Sequence, residues 1–421
     1  MTRAFYIILA AQFFSSLADN ALLAASVVLL IEMHADPSQQ PLLKAFFTIS
    51  YVVLAPFVGA FADSRPKGNV MFITNLIKVF GAAIMLFGLH PMLAYAVVGL
   101  GAAAYSPAKY GIITELLPPE KLVAANGWIE AATILSIIFG TVLGASLATP
   151  TIQSLLTHAL PASFSLSPAT SAILIICFVY LFAALLNRQI GDTGIRYSAQ
   201  AHTPIKLMQD FWHCNMTLWR DKLGQISLAI TTILWGMAAV MQFIVLDWAQ
   251  EDLGQTLQES FRMQAVVGIG STIGAVLASR YVAMRRATAV IPLGMVIGSM
   301  LLLLLVIDRV FLAFPLMIVF GAVAGFFLVP MNAMLQHRGY VLLSAGHSIA
   351  VQNFNENLSI LIMLGMYAAL KYFHVPLHSS ILVFLTLITG LMALMYRWYL
   401  YNKKHHNADS LIDEISHHEH V

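Results

Sequence analysis

Apolar residues along this chain come in runs of about 20, the length an α-helix needs to cross a bilayer core. Twelve such runs are expected, at 4–31, 43–62, 70–89, 92–113, 122–148, 170–187, 224–247, 261–282, 287–306, 311–335, 346–370 and 376–400. The longest polar stretch, about 188–223, follows the sixth run and divides the chain six and six. The pattern predicts an all-α membrane protein of twelve transmembrane helices in two six-helix bundles. The first bundle is 1–190, a linker is 191–223, the second bundle is 224–400 and a cytoplasmic tail is 401–421.

Inside the linker, Ile205, Met208, Phe211, Trp212, Met216 and Trp219 recur at helical spacing, with Lys206, Arg220 and Lys222 among them. A helix of that kind suits the inner membrane surface; an ordinary soluble linker helix is the other reading.

Composition supports the membrane assignment. Of 421 residues, 59% are hydrophobic and 10% charged, too few charges to cover a soluble domain of this size. A net charge of +2 without a dense basic run gives no sign of nucleic acid binding. Cys177 and Cys214 make neither a disulfide framework nor a metal set, so no metal and no cofactor are expected. The first apolar run is too long for a signal peptide and is expected to be retained. Seventeen of the 22 Lys and Arg residues fall on one side if the N-terminus is cytoplasmic, against Lys44, Arg262, Arg309 and Lys371 outside and Lys78 within a span. Both termini are therefore expected in the cytoplasm.

The halves echo each other. GAFADSRPKG (59–68) answers GAVLASRYVAMRR (274–286), GLGAAAYSP (99–107) answers GAVAGFFLVP (321–330), and Asn126 with Glu130 answers Gln352 with Glu356. A six-plus-six repeat around a cytoplasmic linker is the architecture of the major facilitator superfamily.

Charges inside lipid cost on the order of 3 kcal/mol or more and persist where they face a polar interior or a partner. Gln12, Ser15, Ser16, Asp19 and Asn20 lie along one face of the first span; Asn126, Glu130 and Thr133 do so in the fifth, and Ser348, Gln352, Glu356 and Ser359 in the eleventh. Counted from the cytoplasmic ends, Lys78, Glu130 and Glu356 stand at one depth, about 12–15 Å, and Asp19 deeper at about 22 Å. Lys78 between two glutamates suggests a charge cluster where the halves meet, either functional or a structural ion pair. Asp19 shows no comparable partner in the sequence. Asp19, Asn20, Lys78, Asn126, Glu130, Gln242, Gln352 and Glu356 are the candidate substrate- or ion-binding residues.

At the end of the second span, Gly59, Asp63, Arg65, Lys67 and Gly68 make G-x-x-x-D-x-R-x-K-G. This resembles the superfamily's signature loop with one residue inserted, which implies that Asp63 sits by the start of the eleventh span, near the partial positive charge of a helix N-terminus. Such a contact belongs to a conformational switch. Ala278 stands at the matching place in the second half, so a second latch is not expected.

LADNALL (17–23), FADSRPKGNVM (61–71), GAAAYSPAKYGIITELLPPEKLVAANGWIE (101–130) and SIAVQNFNENLSILIMLGMY (348–367) resemble the bacterial lysophospholipid transporters, a branch of that superfamily. The likeness runs to about residue 400. It implies movement of lysophospholipids, chiefly lysophosphatidylethanolamine, from the outer to the inner leaflet of the bacterial inner membrane by alternating access. An acyltransferase/acyl-ACP synthetase is the implied functional partner there, and the transporter itself is expected as a monomer. It also implies that Asp19 handles a cation or headgroup. In that branch the seventh span tends to carry a basic residue; here MQFIVLDWAQ offers Gln242 and Asp247.

Two other functions compete. A proton-driven exporter of amphipathic drugs usually has a Gly-Pro pair in the fifth span, and GTVLGASLATP has none. An acyltransferase needs a His and an Asp five positions on, and no histidine here has one. The histidines of NKKHHNADSLIDEISHHEHV (402–421) read as a solvated tail.

Overall fold

The computed structural model describes residues 2–35, 39–159, 167–197 and 203–413. In lipid a backbone must satisfy its own hydrogen bonds, and a helix does so within one segment. The described residues accordingly form α-helices: α1 (Arg3–Glu32), α2 (Gln39–Val53), α3 (Ala55–Asp63), α4 (Lys67–Leu86), α5 (Pro91–Leu116), α6 (Pro119–Leu147), α7 (Pro150–Ala159) and α8 (Pro168–Arg188) before the linker. The linker helix α9 (Pro204–Arg220) is followed by α10 (Gly224–Glu251), α11 (Leu257–Tyr281), α12 (Leu293–Met300), α13 (Val310–Leu342), α14 (Ala345–Tyr372) and α15 (Leu377–His406).

Seven of these helices are long and apolar enough to cross a membrane, and nine spans result if each of two bent pairs is one crossing. α2 and α3 form the first pair, bent by 64°; Pro56, at the start of α3, has no N–H to continue the helix. The second pair, bent by 41°, joins a 3₁₀ turn at Met284–Val290 to Leu293–Leu305, with Pro292 at the break. α5, α11 and α14, with 26, 25 and 28 residues, are also long enough at about 1.5 Å per residue, which brings the described helices to about twelve passages by length. They carry polar side chains because they pack against the opposite bundle: α11 against α6, and α14 against α3 and α5.

Two boundaries differ from expectation. α7 is an extra helix between the fifth and sixth spans. The last span continues to His406, and the turn Ala408–Asp413 folds back instead of being solvated: His337 Nε2 lies 2.9 Å from the Ile412 carbonyl, and Arg338 donates to the Leu411 carbonyl at 3.0 Å. Residues 414–421 and the linker stretch 198–202 lie outside the described residues.

α1 packs against α6 and α8, and α4 against α5 and α8, to make the first bundle; α10 packs on α14, α11 on α13 and α12 on α15 in the second. The end of the molecule where α1 begins, α8 ends, α10 begins and α15 ends is called the linker face below.

Candidate functional site

Polar residues converge in two places, one inside the first bundle and one between the bundles. Inside the first, Asp19 on α1 meets Lys78 on α4. The ammonium donates to Asp19 Oδ2 at 2.8 Å and to Ser15 Oγ at 3.0 Å. Tyr180 of α8 donates its hydroxyl to Asp19 Oδ1 at 2.7 Å, and Tyr95 of α5 donates to the Asp19 backbone carbonyl at 3.2 Å. The Tyr105 ring lies 5.0 Å from the ammonium. Lys78 is 1% exposed and the Asp19 side chain 17%, so the carboxylate is the partner closer to solvent. Asn20 turns back onto the Ser16 carbonyl at 2.8 Å, and Gln12 ties α1 to α6 through Thr133 at 3.2 Å.

This arrangement corrects the expected cluster. Lys78 pairs with Asp19 and not with Glu130 or Glu356. Glu130 makes no ion pair among the described residues; the lysine whose charge reaches it is Lys109, and the Lys109 ammonium lies 3.9 Å from the Tyr110 ring centre. Glu356 accepts from Gln352 Nε2 at 2.8 Å, within the second bundle, and Gln352 also donates to Asn332 at 3.1 Å. Depth along each helix misled because the span ends are staggered and a lysine reaches well beyond its own turn. Gln242 is exposed on α10, and its backbone carbonyl accepts from Gln264. Asp247 accepts from Tyr367 and forms an ion pair with Lys371, both on α14.

Between the bundles, the Asp63 carboxylate at the end of α3 caps α14. It accepts from the backbone N–H of Gly346 at 2.9 Å and of His347 at 3.2 Å, and from the Ser344 hydroxyl. These N–H groups lack a partner within their own helix and carry the positive end of its dipole. His347 Nδ1 lies 3.0 Å from Asp63 Oδ2, and Lys67 pairs with Oδ1. Lys67 also stands 3.6 Å from Glu115, which accepts from Thr193 at 2.7 Å and Tyr197 at 2.9 Å. The start of the linker is thereby tied to the same network.

Gly59 makes the approach possible: a Cβ there would come within 3.0 Å of the His347 Cα and 3.1 Å of the Ala350 Cβ. Gly68 does the same against the Ile190 carbonyl, 2.9 Å from where its Cβ would be. Arg65 is exposed, its guanidinium 5.6 Å from the Phe61 ring centre.

Two further bridges lie in the same half of the molecule. Asn126 of α6 and Gln336 of α13 exchange amide hydrogen bonds at 2.8 and 2.9 Å, and Asn353 donates to Ser106 at 2.9 Å. On the α6–α11 seam, Gly127 packs onto Ser279 and the Ala275 carbonyl; Ala278, buried beside them, offers no carboxylate. The bonds joining the bundles at Asp63, Ser106 and Asn126 thus all lie toward the linker face. Sequence reasoning missed Tyr180, Tyr95, Lys109, Gln336 and His347. Ser344 three residues before His347 was a readable helix-start signal, and the polar triplet Gln336-His337-Arg338 closing an apolar span was another.

A family model for the Major Facilitator Superfamily matches residues 8–364. The chain is 38% identical over 377 residues to a protein named lysophospholipid transporter LplT from Yersinia enterocolitica, with 89% of each chain covered. It is 37% identical over 369 residues to one of the same name from Serratia proteamaculans, covering 87% of this chain and 88% of that protein. Among solved structures, a bacterial homologue of the iron transporter ferroportin superposes with a TM-score of 0.70 at 12% identity, covering 96% of this chain and all of that one. The transporter FucP superposes with a TM-score of 0.66 at 14% identity, covering 94% and 99%. These two likenesses concern the fold alone.

Proposed function

The chain belongs to the major facilitator superfamily, in its lysophospholipid transporter branch, and from that premise we propose that it carries lysophosphatidylethanolamine and related lysophospholipids from the outer to the inner leaflet of a bacterial inner membrane by alternating access. In this reading the linker face is cytoplasmic and holds both termini, as the crowding of basic residues there supports. The substrate is moved without chemical change, and re-acylation falls to a separate acyltransferase/acyl-ACP synthetase.

The observation that carries the mechanism is the one-sided joining of the bundles. Asp63, Ser106 and Asn126 bind the second bundle toward the linker face, so the substrate enters from the opposite side in this conformer. A carboxylate held by helix N–H groups and a lysine is strong while dry, and each such bond to a charged group contributes about 1.5–3 kcal/mol. Releasing it lets the linker face open. Asp19, partly open to solvent beside Lys78, forms with it a zwitterionic pair that matches a headgroup bearing both an ammonium and a phosphate: the carboxylate meets the ammonium and the lysine the phosphate. Asn20, Asn126, Glu130, Gln352 and Glu356 supply further polar contacts along the path. Gln242 and Asp247 stand where relatives place a basic residue, so the phosphate falls to Lys78 and Lys109, buried cations that neither close the Asp63 latch nor hold Asp221.

The test is leaflet movement of labelled lysophosphatidylethanolamine in proteoliposomes, with dye efflux measured beside it. Protein-dependent inward movement of the lysolipid is expected. Dye efflux without lysolipid movement would replace this reading with that of a drug exporter.

A further inference from the structure

The linker helix α9 has two apolar faces. Its inner face buries Phe211 and Leu218 in a cluster that draws Ala55 and Val58 from α3 and Ala350 and Val351 from α14, so one helix touches both bundles across a single seam. Its polar ties go only one way among the bonds described. Asn355 of α14 donates to Asn215 at 2.9 Å and accepts from the Trp219 indole at 3.2 Å. Phe211 stands edge-on to Phe354 with ring centres 5.4 Å apart. Just past the helix, Asp221 accepts two bonds from the buried Arg338 guanidinium, at 3.1 and 2.6 Å. Toward α3 the contact is apolar.

The outer face carries Ile205, Met208, Trp212 and Met216, exposed by 72%, 54%, 55% and 39%, with Lys206 and Arg220 exposed at either end. A helix bathed in water places polar residues on its free face. An apolar stripe with basic flanks belongs at the boundary of headgroups and acyl chains.

We propose that α9 is a lateral gate: an interfacial helix carried by the second bundle, covering the linker-face end of the α3–α14 seam, which parts from α3 to let a lysophospholipid pass between the bundle interior and the adjoining leaflet. The gate rests on the transport reading above. A lysolipid keeps its acyl chain in apolar surroundings, so its way out is sideways between helices. The α3–α14 seam is closed at this height by the Asp63 latch and by α9 lying against it. Hydrogen bonds with fixed geometry hold α9 to α14, and an apolar contact that can slide holds it to α3, so the seam opens on the α3 side.

The experiment uses the full chain with Cys177→Ser and Cys214→Ser in proteoliposomes, and two pairs of cysteines closed by a flexible, reducible bis-thiosulfonate. Val58→Cys with Phe211→Cys ties α9 to α3; bridging is expected to stop lysophosphatidylethanolamine movement, and reduction to restore it. Asn215→Cys with Asn355→Cys ties α9 to α14; bridging there is expected to leave movement at the rate of its unbridged form. Val58→Cys alone, with Phe211→Ala added, should react severalfold faster with a bilayer-dissolved maleimide and no faster with a water-soluble one, and Phe211→Leu should fall between. Full transport by the α3-bridged protein, arrest by the α14 bridge, or unchanged maleimide labelling overturns the gate. If the unbridged proteins move no lysolipid while Phe211→Ala still speeds labelling, the transport reading fails and α9 remains only a cover on the seam.

Discussion

Asp19 and Asp63 are both enclosed carboxylates with a lysine at hydrogen-bonding distance, but the structures around them are built for opposite purposes. Every partner described for Asp19 comes from α1, α4, α5 or α8, all in the first bundle. The pair is contained within that bundle and draws none of its described bonds from the second one. Asp63 pairs with Lys67 inside the first bundle but also reaches across the seam to Ser344, Gly346 and His347, and those three contacts exist only while the bundles meet at the linker face. A charge satisfied within a bundle can serve stability and recognition together. A charge satisfied between bundles sets the population of one conformer, and a ligand or mutation shifts that population only by its differential effect on the two states.

The contrast predicts where each mutation is felt. The largest effects on stability are expected at the Asp19–Lys78 pair. Lys78→Met leaves Asp19 without its cation; breaking one partner of a buried pair costs about 3–5 kcal/mol, here toward the lower end because Asp19 is partly solvated. Asp19→Asn strands the more deeply buried Lys78, so it too lowers the melting temperature, and lysophosphatidylethanolamine uptake falls with it. A melting temperature that stays put in Lys78→Met would mean the pair is not what holds α1 to α4.

Asp63→Asn should do the reverse. The melting temperature falls less than for the Asp19 pair, because Lys67 keeps Glu115 at 3.6 Å, while the closed linker face loses the charge from several hydrogen bonds, each contributing about 1.5–3 kcal/mol. Its population relative to the open form then drops by roughly tenfold for each 1.4 kcal/mol lost. Distances between spin labels on α3 and α14 read this directly, and an unaltered distance distribution would reduce Asp63 to a turn residue.

Asn126→Ala tests the weaker bridge to Gln336. Two neutral hydrogen bonds contribute about 0.5–1.5 kcal/mol each, so the same spin-label measurement should show a shift in the direction of Asp63→Asn but smaller. A shift as large would move the main latch to the α6–α13 contact.

The smallest expected quantity is a coupling. Glu130 and Lys78 form no hydrogen bond or ion pair with each other among the bonds described, Lys78 being held by Asp19 and Ser15, so Glu130→Gln combined with Lys78→Met should change stability by the sum of the single effects within about 0.5 kcal/mol. A larger interaction energy would restore the charge cluster between the halves that the depths of these residues suggest.

What the amino-acid sequence determined by itself is the part governed by local rules. Apolar runs of membrane length, the asymmetry of Lys and Arg, and the polar break near 188–223 specify the spans, and the helices at Arg3–Glu32, Pro91–Leu116 and Pro168–Arg188 fall within a few residues of expectation. The loop containing Gly59 and Asp63 was legible because turn, glycine contact and helix cap depend on residues fixed in type and spacing. Pairing was not legible in the same way. Lys78 had three carboxylates within plausible reach, and choosing Asp19 required the stagger of α1 against α4 and the position of Tyr180 on α8, neither of which leaves a periodic trace. Asn126 with Gln336, 210 positions apart, and Arg338 with Asp221 are likewise set by how whole helices pack. The fold back of residues 408–413 and the seat of α9 on α14 belong to the same class. Hydrophobic periodicity records which side of a helix leaves water; which neighbour that side then meets is decided only when the helices come together.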